Sequence, residues 1–210
     1  MAYSVKEIFY TLQGEGNHSG RPAVFCRFTG CNLWSGDERT RSAAVCQFCD
    51  TDFNGITGQN GGKFFTPSHL ADEVFKHWPQ SSAEPYLVCT GGEPLLQLDE
   101  ILIEAFKKKG FTVAVETNGT IKTPEGLDWI CVSPKASTRL VVTSGDELKL
   151  VFPQEGVLPE AYEHLNFKHF YLQPMDNSNL SNNVDEAVQY CLRNPKWHLS
   201  LQSHKTLNID

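Results

Sequence analysis

Three cysteines stand close together in this chain, Cys31, Cys46 and Cys49, within the stretch CNLWSGDERTRSAAVCQFC. A C-x2-C pair chelates a metal or forms a redox disulfide, and a further cysteine upstream adds a third thiolate. Structural zinc takes four protein ligands, so a zinc site here needs His18 or Cys26 as the fourth. An iron-sulfur cluster held by only three thiolates keeps one iron open to a small molecule. The C-x14-C-x2-C spacing matches no standard pattern for either metal centre and does not separate them; a disulfide is the weaker third reading.

The whole chain narrows the setting. Of its seven cysteines, Cys26, Cys89, Cys131 and Cys191 sit inside apolar runs (AVFCRF, YLVCT, WICVS, VQYCL), where cysteine acts as a small hydrophobe, and they are expected in the core. An odd cysteine count without an export signal fits a reducing compartment better than a disulfide framework. The formal charge of -7 and the absence of a Lys/Arg block exclude a nucleic-acid footprint. MAYSVKEIFYTLQGEG lacks the apolar core of a signal peptide, and no apolar run approaches a membrane span, so a soluble cytoplasmic protein without membrane contact is expected. With 210 residues, 40% of them hydrophobic, the chain can bury one sizeable core, and one domain spanning 1–210 is expected.

Elements must bring the chemistry together. Short β-branched or aromatic runs recur at 23–28, 85–90, 111–116, 129–133, 147–152, 168–173 and 198–202, and read as buried strands. Between them lie helical patterns. Thr66 caps a helix with Pro67 at its first position, LDEILIEAFKKK ends at Gly110, and VDEAVQYCLR precedes Asn194 and Pro195. Alternating strands and helices predict an α/β fold with a mostly parallel sheet, covered or rolled into a partial barrel. The segments that follow the strands are Cys31, TGGEP, ETNG, SPK, QPMD and QSHK. In parallel architectures such segments converge on one face, so they are expected to line a single cavity.

Taken together, EIFYTLQGEG, VFCRFTGCNLW, CQFCDTD, TGGEP, ETNGT, SPK and LQSHK closely resemble the 7-carboxy-7-deazaguanine synthase family, radical S-adenosylmethionine (SAM) enzymes of queuosine biosynthesis. The resemblance spans nearly the whole chain. It implies a partial (β/α) barrel of the radical SAM type, with a 4Fe-4S cluster on Cys31, Cys46 and Cys49. Most of the wider superfamily has C-x3-C-x2-C, so the extended loop 31–49 must detour and return Cys46 beside Cys31.

The resemblance also implies roles. Gly92, with Gly91, lets backbone approach SAM, and Glu93 supplies charge near its ammonium. Phe48 packs the adenine, while Ser133, Lys135, Gln173 and Asp176 contact the rest of the cofactor. The implied substrate is 6-carboxy-5,6,7,8-tetrahydropterin, read by Leu12, Gln13, Gly14 and Glu15, with Arg27 on its carboxylate. Thr90, His204 and the terminal Asp210 are further substrate candidates. Thr51 is the implied Mg2+ ligand, a hard oxygen donor. Implied partners are an external electron donor such as a flavodoxin or ferredoxin, and a second copy in a homodimer. Two rivals share parts of this pattern: an activase that installs a glycyl radical in a protein, and a non-catalytic zinc-binding interaction module.

Overall fold

In the computed structural model of the chain, which describes residues 2–79 and 83–209, the apolar runs pair side by side into one sheet. Its strands are β1 (Tyr3–Leu12), β2 (Pro22–Phe28), β3 (Gly62–Phe64), β4 (Tyr86–Gly91), β5 (Thr112–Thr117), β6 (Trp129–Val132), β7 (Ser144–Phe152), β8 (Asn166–Pro174) and β9 (Trp197–Leu199). Their spatial order is β3-β1-β2-β4-β5-β6-β7-β8-β9. β1 is antiparallel to β2 and β3, and from β2 through β4 to β9 each neighbouring pair is parallel. These parallel strands follow chain order without reversal, so the sheet winds one way, as a (β/α) barrel does, and not outward from a switch point. β3 and β9 remain as separate edges, which makes the barrel partial.

Helices α1 (Pro67–Lys76), α2 (Glu100–Lys108), α3 (Leu180–Arg193) and α4 (Ser203–Leu207) complete the main elements. The Thr66 hydroxyl accepts from the His69 amide at 3.2 Å, with Pro67 opening α1, and Asp99 caps α2 by accepting from the Leu102 amide at 2.9 Å. Leu70, Ala71 and Val74 of α1 and Leu102, Ile103 and Phe106 of α2 are buried at helical spacing. They pack on Val24, Cys26, Phe28, Leu87, Cys89, Val113 and Val115 of the sheet. Ala187 and Tyr190 of α3 cover Val132, Leu148, Leu150 and Leu172 in the same way.

Strand alternation sends the intervening residues to the opposite face. There Phe9, Ala23, Phe25, Tyr86, Val88 and Ala114 form a smaller apolar cluster. Nearer the carboxyl ends of the strands the same face carries Arg27, Thr90, Glu116, Lys149 and Gln173, all of which line one cavity. Polar side chains can occupy these strand positions because the helices cover only the other face.

All seven expected strands are present, with shifted ends: β7 starts at Ser144 and β9 stops at Leu199. β1, β3 and α4 were not anticipated. β1 carries a register shift between Val5 and Glu7, which breaks the alternation that would mark it as a strand. Cys26 and Cys89 are core residues; Cys191 is half-buried on α3, and Cys131, though buried, borders the cavity. No helix among the described residues is long and apolar enough to cross a membrane.

Phe106 is fully enclosed between α2 and the sheet. Phe106→Ala is expected to lower the unfolding free energy by about 3 to 5 kcal/mol, the usual cost of emptying a buried aromatic site. Urea unfolding at equilibrium checks this, and a loss under about 1 kcal/mol would place the ring outside the main core.

Candidate active site

The strand ends and their loops enclose a cavity of about 480 Å3. Cys31 follows β2, and the chain then detours through a short 3-10 turn at Glu38–Ala43, capped by Asp37. The amides of Val45 and Cys46 both donate to the Leu33 carbonyl, at 3.1 and 3.3 Å, which closes the detour. Arg41 fixes its exit: one terminal nitrogen donates to the carbonyls of Gln47 and Cys49, each at 2.9 Å, while the guanidinium lies 4.0 Å over the Trp34 ring. Trp34 in turn meets Phe53 edge-on. Cys31, Cys46 and Cys49 all line the cavity, and burial pushes the Cys31 and Cys46 thiols up.

Among the described residues no three His, Cys, Asp or Glu side chains are grouped as ligands of a single metal ion. The proposed zinc partners lie elsewhere: Cys26 is in the core, and His18 packs on Trp129 and Tyr86 with ring centroids 4.2 and 5.3 Å away. A cluster makes a different demand, because its thiolates bind different irons and need to share a wall, not a point. Three thiols on one wall beside Gly92 fit that group. Magnesium fits less completely. Thr51 lines the cavity, but its acidic neighbours are engaged, Asp50 with Lys205 at 2.7 Å and Asp52 with Lys6 at 2.6 Å, so the chain offers one hydroxyl and no shell.

On the far side the loop after β1 is pinned to the end of the chain. The Ser203 amide and hydroxyl both donate to the Gly14 carbonyl at 2.9 Å, and the Gly16 amide donates to the Ser200 hydroxyl at 2.9 Å. A Cβ on Gly14 would collide with the His204 ring, so this close approach requires glycine. Glu15 is the centre of the junction. Its Oε2 accepts from Lys149 Nζ at 2.5 Å, and its Oε1 accepts from the side-chain amides of Gln173 and Gln202 at 3.0 and 2.9 Å. Lys149 also approaches Glu116 at 3.4 Å, and Glu116 accepts from Gln13 at 3.0 Å.

Nearly all the expected site residues meet here. Leu12, Gln13, Gly14, Glu15, Arg27, Phe48, Thr51, Thr90, Gly92, Ser133, Lys135, Gln173, Asp176 and His204 line the same cavity as the three cysteines. Lys135 Nζ donates to the Ser133 carbonyl and hydroxyl at 2.7 and 2.6 Å, and burial lowers its pKa. Arg27 is held through Nε by Glu7 at 2.7 Å, and Asp176 is paired with Lys205. Asp210 lies outside the described residues.

Glu93 requires a correction. It does not border the cavity; it is fully buried beneath it and accepts from the Leu95 amide, the Thr117 hydroxyl and the Asn118 amide at 2.8 to 2.9 Å. Burial raises its pKa, against these three donors. These bonds tie the turn after β4, which carries Gly92, to the end of β5. Sequence reasoning missed Lys149, Glu116, Gln202 and Arg41. The alternation of charged and leucine residues in ELKL was the available signal for Lys149.

No protein-family model matches the chain. The 7-carboxy-7-deazaguanine synthases of Bordetella pertussis and Caulobacter vibrioides are each 59% identical to it over 209 residues, covering all of both chains, and that of Bacteroides thetaiotaomicron is 41% identical over the same span. The chain belongs to the 7-carboxy-7-deazaguanine synthase family. It is therefore an enzyme, of the radical SAM kind that serves queuosine biosynthesis. The crystal structure of QueE from Escherichia coli superimposes with a TM-score of 0.73 at 25% identity, covering 97% of this chain and 95% of that one. A 7-carboxy-7-deazaguanine synthase fold thus carries the cavity described above.

Gly92 packs against the backbone of Gly30, where a Cβ would collide with the carbonyl oxygen and press on Cys31. Gly92→Ala is expected to displace Cys31 and cut iron content after anaerobic reconstitution to below half of the unsubstituted level. Iron and sulfide analysis checks this, and full cluster loading in a folded Gly92→Ala protein would show that the contact does not set the cysteine's position.

Proposed function

We propose that the cavity holds a 4Fe-4S cluster on Cys31, Cys46 and Cys49 with SAM at its open iron, and converts 6-carboxy-5,6,7,8-tetrahydropterin to 7-carboxy-7-deazaguanine with loss of ammonia. The observation that carries this reading is that three cysteines, the strand-end residues and the loop after β1 share one cavity. When bound on Cys31, Cys46 and Cys49, the cluster with SAM would supply the radical chemistry for taking a hydrogen atom from C6 of the substrate. Ring contraction with ammonia loss is redox-neutral, so SAM would be recovered once that hydrogen atom returned to the rearranged product and the electron to the cluster.

The chain's own residues bind and orient. Gly92 leaves room for the methionine part of SAM at the turn after β4. Lys135, locked on Ser133, places a half-buried ammonium 5.9 Å from the Phe48 ring and suits an anionic group of the cofactor beside it. Gln173 and Asp176 stand at the end of β8 on the same side. Arg27, braced at Nε by Glu7, turns the remaining guanidinium donors to the substrate carboxylate. Gln13 and Glu15, with the Leu12 and Gly14 backbone, face the mixed donors and acceptors of the pterin edge, and Thr90 and His204 flank it. Thr51 contributes one hydroxyl to Mg2+, whose remaining ligands come from substrate and water.

In this reading the chain is one domain over 1–210, works in the cytoplasm as a homodimer, receives its electron from a flavodoxin or ferredoxin, and lends the Asp210 carboxylate to the substrate. A glycyl-radical activase would need a groove for a protein segment. The polar cavity of Gln13, Glu15, Arg27 and Lys149 suits a small heterocycle instead.

Substrate deuterated at C6 is expected to place deuterium in 5'-deoxyadenosine and in recovered SAM. Arg27→Ala should slow this transfer while SAM still binds; losing a charge-assisted hydrogen bond of roughly 1.5 to 3 kcal/mol corresponds to about a 10 to 150-fold drop in kcat/KM. Mass spectrometry of both pools reads the result, and deuterium found only in solvent during turnover would rule out direct abstraction at C6.

A further inference from the structure

Lys149 lies on the cavity-facing side of β7 and is about 5% exposed. Its ammonium stands 2.5 Å from Glu15 Oε2 and 3.4 Å from Glu116 Oε1. The donors around the two acids are arranged for acceptors alone. Gln173 and Gln202 donate to the other oxygen of Glu15, Gln13 donates to Glu116 Oε1, and the Thr90 hydroxyl reaches Glu116 Oε2 at 3.5 Å. A proton on Glu15 would set a donor against one of these donors and break the set.

We propose that Lys149 is a positioning residue for the reaction, holding Glu15 and Glu116 together as acceptor-only carboxylates so that the cavity selects a ligand edge rich in N–H donors. The inference rests on the pterin reading of the cavity and deepens it, since the amino and ring N–H groups of a reduced pterin form such an edge. Lys149 acts through the two acids and need not touch the substrate.

The surroundings explain why a cation is required. Around this pair stand Glu147 on β7, Glu116 on β5, Cys131 on β6, Lys135 after β6, His18 after β1 and His204 on α4. Burial alone would push the Glu15 carboxyl up; the charge and hydrogen bond of Lys149, with Gln202 and His204, outweigh it and hold the group at about 2. For Lys149, burial works toward neutrality and the acids Glu116, Glu15 and Glu147 overcome it, keeping the amine protonated. Without the ammonium, burial would act on Glu15 and Glu147 with no adjoining cation to oppose it, and protons would be retained on them toward neutral pH.

The sign follows directly. Glu15 has a depressed pKa and stays ionised down to about pH 2; in Lys149→Met both burial and its acidic neighbours raise it, so its acid limb moves upward. Infrared pH-difference spectra of the reconstituted holoenzyme, with Glu15→Gln identifying the band, read the charge of Glu15 without reference to substrate. In the unsubstituted enzyme no Glu15 carboxylic-acid band is expected down to about pH 4, and in Lys149→Met the band should be present well above that. At pH 7, kcat/KM for the carboxy-tetrahydropterin should fall roughly tenfold or more in Lys149→Met, mainly through KM, and recover as pH rises by a few units. Lys149→Arg should keep the unsubstituted pH profile.

A Glu15 band and pH profile unchanged by Lys149→Met would overturn the proposal. A band that moves while pterin KM stays independent of pH would also overturn it, since the pair would then be charged without reading the ligand edge, whereas absence of any carboxy-tetrahydropterin turnover by the unsubstituted enzyme would remove the pterin reading itself. Should Lys149→Met fail to fold, the unsubstituted enzyme still decides: a protonated Glu15 at or above about pH 5 contradicts the assignment.

Discussion

The junction at Glu15 is the interaction on which the site depends, because the sheet itself does not close. Its edges are β3 and β9, and backbone pairing along the nine strands leaves a gap between the first and last parts of the chain. The loop after β1 spans that gap through polar contacts. Glu15 takes Lys149 from β7, Gln173 from β8 and Gln202 from beyond β9, while Gly14 and Gly16 bond to Ser203 and Ser200 and the Asn17 amide donates to Glu147 at 3.0 Å. A hydrogen-bonded clasp thus does what strand pairing does in a closed barrel, and the cavity is walled by residues from β1 and β2 through to the segment after β9.

Such a clasp is an expensive way to gain stability. Desolvating an ion pair costs several kcal/mol per ion, and a buried pair often stabilises no better than packed apolar residues of the same volume. The helix-covered face shows the cheaper alternative, since Leu148 and Leu150 on the same strand are fully buried against apolar neighbours. The charged face is explained by binding rather than folding. A heteroatom-rich ligand needs fixed acceptors and donors whose orientations are set before it arrives, and side chains locked by one another provide that at no reorganisation cost.

Most of the strands and the convergence of their carboxyl-terminal loops were legible, because parallel strands buried on one face leave apolar runs that end abruptly in polar residues. The three cysteines were legible from exclusion, being the ones outside apolar runs. Other features were hidden for identifiable reasons. The register shift in β1 and its Lys6 and Glu7 hide its alternation. Glu93 reads as a cavity residue within GGEP, yet the turn after β4 buries it on the amides of Leu95 and Asn118 and the Thr117 hydroxyl, partners that only the fold brings to it. Lys149 reads as an ordinary strand charge until its neighbours Glu15 and Glu116, more than a hundred and about thirty residues distant in sequence, are brought to it by the fold.

The long gap between Cys31 and Cys46 is affordable on the same kind of reckoning. Lengthening a flexible loop from three residues to fourteen raises its closure entropy cost by only about 1.4 kcal/mol, since that cost grows with the logarithm of length. Against it stand the two amides on the Leu33 carbonyl and the Arg41 guanidinium on the carbonyls of Gln47 and Cys49, stacked over Trp34. A neutral hydrogen bond contributes about 0.5 to 1.5 kcal/mol and a charged one about 1.5 to 3. Even one bond of the charged kind offsets the added entropy, and the Asn54 side-chain amide adds a further bond to the Gly36 carbonyl at 2.8 Å on the path that returns Cys46 toward Cys31. The insertion therefore changes the path between the thiols, while Leu33 and Arg41 hold the Cys46 and Cys49 end and the close packing of Gly92 on Gly30 holds the Cys31 end.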